Sequence, residues 1–110
     1  MKSADYRQRM LDIMPESQLQ ERIIEAATIG GWMHYHTHDS RRSDRGWPDL
    51  VLVRGRRMLV LELKRRTGRV SVHQQGWIDA LQRVDTLDVR VVRPDDLDTL
   101  RDELLAPEVD

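Results

Sequence analysis

Apolar residues recur along this chain with two different periods. Leu19, Ile23, Ala26 and Ala27 return at helical spacing and run into Gly30-Gly31, which predicts a helix over residues 17–29. Ser17 and Gln20 have the spacing of a capping box at its start. Residues 32–37 alternate and read as a strand, whereas residues 38–48 mix Ser, Asp, Arg and Gly without a period and read as a loop. Two intensely apolar runs follow, 49–53 and 58–63, separated by Arg54-Gly55-Arg56-Arg57. Glycine at the first central position marks a two-residue type II′ hairpin. Both faces of each run are apolar, so the hairpin is expected inside a sheet covered on both sides. Ser71 and Gln74 form a second capping box, opening a helix to about residue 84. Residues 89–92 make a short strand stopped by Pro94, and Asp95 caps a last helix through about residue 105, before Pro107.

The resulting order, α-β-β-β-α-β-α, is that of one α/β domain with a mixed sheet over residues 15–106. A polar segment, 1–14, precedes it as an arm or short helix, and residues 107–110 form a tail. A length of 110 residues suits one domain. No run approaches the roughly 20 apolar residues of a membrane span, and no signal-type apolar region follows Met1, so the expected location is cytoplasmic. The absence of Cys removes disulfides, thiolate nucleophiles and cysteine-ligated zinc.

A net charge of −1 at first argues against a nucleic-acid partner. The distribution reverses that inference. Residues 41–69 hold ten basic against three acidic side chains, a net +7, which leaves −8 for the remainder. Ten of the acids fall at or after Asp79, so they are expected to face away from a polyanion bound at the basic block.

That block also contains candidate chemistry. With Gly55-Arg56 as the turn, paired positions sum to 111, and Asp49 faces Glu62. Like charges directly opposed are destabilising, and apolar surroundings make them worse. A divalent cation held between the two carboxylates resolves the conflict, and hard oxygen donors suit Mg²⁺ or Mn²⁺. Lys64 follows on the same face, placed to stabilise developing negative charge. Arg41, Arg42 and Arg45 precede Asp49, and Arg65, Arg66 and Arg69 follow Lys64, so both clusters emerge at this end and suit phosphate contacts. Arg54, Arg56 and Arg57 lie at the opposite end, as solvated turn residues or a second DNA contact. His34, His36 and His38 alternate, but three such positions span about 13 Å, too far to share one ion. They are expected to be polar wall residues, with His36 nearest the nucleic acid. Trp47 and Trp77 are expected to pack.

Pro48-Asp49 followed by Glu62-Leu63-Lys64 resembles the motif of the PD-(D/E)xK nuclease superfamily. More narrowly, Gly46-Trp47-Pro48-Asp49, the Glu-Leu-Lys strand and Thr67-Gly68-Arg69-Val70-Ser71 before a helix with Gln75 and Trp77 resemble the VRR-NUC domain in its stand-alone, phage-type form. The resemblance implies a restriction-endonuclease-like core and a metal-dependent DNA endonuclease. It implies action as a homodimer on branched DNA such as Holliday junctions, from a phage or bacterial source. It also implies Asp49, Glu62, the Leu63 carbonyl and Glu21 as metal ligands, Lys64 as the catalytic lysine, and Gln75 as a residue holding that lysine or the scissile phosphate. The alternative is a non-catalytic DNA-binding or assembly module that retains the fold.

Overall fold

The structure, a computed structural model, describes residues 3–37 and 44–109. The helical stripe becomes α2 (Glu16–Ile29), preceded by α1 (Ser3–Ile13). β1 (Met33–His36), β2 (Leu50–Arg54) and β3 (Arg57–Leu63) follow, then α3 (Val72–Gln82), β4 (Asp88–Val92), a 3-10 turn (Pro94–Asp96) and α4 (Leu97–Leu105). The sheet order is β1-β2-β3-β4, with β4 parallel to β3 and the other pairs antiparallel.

The hairpin adopts the predicted register, from Arg54 opposite Arg57 to Leu50 opposite Leu61. Gly55 supplies the turn with a φ of 59°, and no non-glycine residue among those described has a positive φ, as a type II′ turn requires. The Ser71–Gln74 capping box is closed, with Gln74 N–H donating to Ser71 Oγ at 3.1 Å and Ser71 N–H to Gln74 Oε1 at 2.9 Å.

Three local expectations are corrected. Ser17 does not cap α2. The helix starts a residue earlier, with Pro15 as its cap, and the Gln18 and Leu19 amides donate to the Pro15 carbonyl, both at 3.1 Å. Asp95 does not cap α4, because the chain first makes the 3-10 turn, and Asp96 rather than Asp95 accepts a backbone bond, from Arg93 N–H at 2.9 Å. The sheet is covered on both faces only around β3. Leu59, Leu61 and Leu63 on one face, and Val60 and Glu62 on the other, are all buried. By contrast β1 leaves Met33 and Tyr35 exposed at 77% and 60%, beside Val53 at 38%. Among the described residues β1 is an edge strand, paired with β2 alone.

The main core lies between the sheet and the pair α2 and α4. Leu19, Ile23, Ala26 and Ala27 meet Leu50, Leu52, Leu59, Leu61 and Leu63, and Leu97, Leu100 and Leu104 close the cluster. Each buried leucine contributes about 1.5–3 kcal/mol. Arg54 is not a free turn residue but is held inside the fold. Its Nη1 donates to the carbonyls of Gly30 at 3.0 Å and Ala106 at 2.9 Å, and its guanidinium lies 4.5 Å from the centre of the Trp32 ring. It thereby satisfies carbonyls that α2 and α4 leave unpaired at their C-terminal ends. Several late acids are likewise internal partners. Glu103 receives Arg57 at 2.8 Å and Arg90 at 2.7 Å, and these guanidiniums hold its carboxyl down at about 2. The helix α1 buries no residue; it is tied on by the pairs Arg7–Asp98 and Asp12–Arg66.

Candidate active site

Asp49 enters the site through a loop clamped on both sides. Gly46 has a φ of 89°, and a Cβ there would fall 2.4 Å from the carbonyl carbon of His73, so only glycine lets the loop lie against the start of α3. Trp47 and Trp77 meet edge to face, with ring centres 5.0 Å apart, and Trp77 Nε1 donates to the Arg45 carbonyl at 3.1 Å. Both tryptophans thus pack, as expected. The Asp49 carbonyl then accepts from Thr37 N–H at 3.1 Å.

The ladder ends at the Leu50–Leu61 pair, and the residues just beyond it, Asp49 and Glu62, lie close enough for the Asp49 carboxylate to act on Glu62. Asp49 Oδ2 accepts the Leu63 N–H at 2.8 Å, which orients its carboxylate across the end of the hairpin. Glu62 is 1% exposed, and neither of its oxygens has a hydrogen-bond partner. Burial first, and the Asp49 carboxylate second, push its carboxyl up to about 9, while Lys64 pulls the other way. Two orphaned buried oxygens facing a second carboxylate are what a divalent cation would satisfy. Among the described residues no three His, Cys, Asp or Glu side chains converge on one point. The donor set therefore suits a hard ion that keeps several waters rather than a fully protein-enclosed one. Lys64, half-buried at the end of β3, donates its N–H to the Val92 carbonyl at 3.0 Å.

Both acids of the first half of α2, Glu16 and Glu21, are exposed, and they stand on different sides of the helix. Glu21 is exposed, about half a turn around α2 from the buried stripe of Leu19, Ile23, Ala26 and Ala27. Glu16, three residues before Leu19, stands on the side of that stripe, and its charge adds the smallest of the contributions that raise Glu62. The signal was present: extending the apolar stripe back one turn points to Glu16, and starting the helix at Ser17 concealed it. Gln75 is exposed and turned along α3, its Nε2 donating to Asp79 Oδ1 at 2.7 Å. Its neighbour Gln74 is half-buried in the capping box.

Among the expected phosphate contacts, Arg45, Arg65 and Arg69 are exposed, with no acidic partner among the described residues. Arg66 is half-buried and engaged, by Asp12 at 2.9 Å and Asp95 at 3.2 Å. Arg41, Arg42 and His38 lie outside the described residues. His34 is exposed and His36 half-buried on β1.

The arrangement joins a buried acidic pair, a neighbouring lysine and exposed arginines at one end of a hairpin. No curated protein and no solved structure matches the chain. The VRR-NUC domain family matches residues 2–95, most of the chain. With its mixed sheet flanked by helices, the fold is restriction-endonuclease-like, and the chain belongs to the VRR-NUC domain family, whose domains serve nuclease-type DNA processing.

Proposed function

We propose that this protein is a metal-dependent DNA endonuclease of the PD-(D/E)xK type, using Mg²⁺ or Mn²⁺ and selective for branched DNA such as Holliday junctions. The observation that carries this reading is Glu62, buried with both oxygens unpartnered opposite Asp49. Asp49, Glu62 and the Leu63 carbonyl would hold the ion, with Glu16 acting from α2 through water. The bound ion would supply Lewis-acid activation of water and neutralise charge at the scissile phosphate. Lys64 would stabilise the additional negative charge on the phosphate, and Arg45, Arg65 and Arg69 would grip flanking phosphates in a sequence-independent way.

A homodimer fits this reading, because one chain presents one site and symmetric cleavage of a junction needs two. The exposed apolar strip of Met33 and Tyr35 on β1, with Val53 beside Met33 on β2, supports contact with a second copy. Incubation with labelled four-way junction and linear duplex, with Mn²⁺ or EDTA, tests the reading. Junction products that depend on Mn²⁺ are expected. Binding without products under every condition would instead identify a DNA-binding module. Sedimentation with and without junction tests the dimer, and a monomer in both would exclude it.

A further inference from the structure

The turn that follows Lys64 is held by one side chain from beyond the neighbouring strand. Arg93, just after β4, directs Nη1 to the carbonyl oxygens of Arg65 at 2.7 Å, Gly68 at 2.7 Å and Arg66 at 3.4 Å. The Gly68 N–H closes the same turn onto the Arg65 carbonyl at 3.0 Å. These carbonyls lie where the sheet ladder has ended, its last bond being Lys64 N–H to Val92 O, and a cation satisfies them as a group. Arg93 is itself fixed, since its N–H donates to Asp96 Oδ2 at 2.9 Å and the next residue, Pro94, is buried.

The turn folds back onto the lysine. A methyl group at Gly68 would meet Lys64 Cδ at 3.6 Å, so the turn lies alongside the methylene stem of Lys64 with about one methyl's width between them. We infer that Arg93 is a positioning residue for Lys64. Its guanidinium fixes the 65–68 turn, the turn confines the lysine stem, and the ammonium is kept on the side of Glu62. The same turn sets the directions in which Arg65 and Arg69 project. This inference rests on the reading of Lys64 as the catalytic lysine.

The test is steady-state cleavage of junction DNA by Arg93→Met and Arg93→Lys, with rates expressed per folded molecule. Arg93→Met should lower kcat at least ten-fold with KM changed less than about three-fold, and Arg93→Lys should recover part of the loss. In the ion-free protein, hydrogen exchange of the Gly68 amide should accelerate in Arg93→Met. An unchanged kcat, or a loss carried by KM alone, would overturn the inference, as would unchanged Gly68 exchange. Should Arg93→Met fail to fold, Arg93→Lys carries the same comparison, with a kcat deficit and faster Gly68 exchange expected against the native protein. If the native protein cleaves no DNA with either ion, the nuclease reading falls, and the exchange measurement still decides whether Arg93 holds the turn.

Discussion

Asp49, just before β2, and Glu62, on β3, lie together at the end of the hairpin in unequal surroundings. Asp49 has one oxygen engaged by the Leu63 N–H, whereas Glu62 is buried with both oxygens free of any hydrogen bond. Two carboxylates so placed cannot both ionise cheaply. In the absence of an ion, burial and the Asp49 charge favour the protonated form of Glu62, with the proton shared toward Asp49. An arriving cation must displace that proton.

The pH dependence follows in sign. Glu62 is raised from 4.5 to about 9, so between these values the folded chain holds a proton that the unfolded chain has lost. Stability without the ion therefore declines as pH rises through this window. The thermal midpoint in EDTA should fall between pH 6 and 9, and Mn²⁺ should reverse the fall with release of close to one proton per ion. Glu62→Gln should flatten the profile, raise the EDTA midpoint and abolish cleavage.

Asp49 separates structure from chemistry. Asp49→Asn retains an acceptor for the Leu63 N–H and should unfold in urea within about 0.5 kcal/mol of the native protein, yet lack cleavage. Asp49→Ala leaves that N–H unpaired and should cost about 1–3 kcal/mol. Equal stability of the two variants would show that the bond contributes nothing.

The two helix acids should differ sharply. Glu16→Gln is expected to weaken Mn²⁺ binding by about ten-fold, the effect typical of a group supporting a metal site, and to slow cleavage. Glu21→Gln should leave both within two-fold. Calorimetric titration of Mn²⁺ into each variant reads the first effect directly, and a reversed order would restore Glu21 to the site.

The arginines should divide into two groups. Single changes of Arg45, Arg65 or Arg69 to Ala should lower the slope of log affinity against log salt by about one unit each. Arg54→Met should leave that slope unchanged but destabilise the fold by about 2–4 kcal/mol, through the lost helix-end bonds and the Trp32 contact. Arg66→Ala should chiefly free α1, seen as faster amide exchange in that helix.

Legibility of the sequence followed the range of the interactions. The hairpin register was readable because Gly55 fixes a two-residue turn locally, and the acidic pair came with it. The Ser71 cap was readable because its partner lies three residues away. The placing of Glu16 beside the apolar stripe was not legible because Pro15, not Ser17, begins α2. Arg54 was misread because its partners, Gly30 and Ala106, are brought to it only by packing of two helix ends against the hairpin. The ion pairs of Arg66 were not legible because its acidic neighbours, Asp12 and Asp95, come from distant segments.

The two-residue turn at Gly55-Arg56 has a reach that its exposed position conceals. It sets the phase of every pair down to Asp49 and Glu62, and side chains alternate faces at each step. One residue added there, with β3 slipping by a single position to accommodate it, would oppose Asp49 to a leucine and aim the glutamate into the apolar core. The chain therefore locates its chemistry by counting from a glycine at the far end of the hairpin. A change of length at that remote tip would silence the site as surely as loss of either carboxylate.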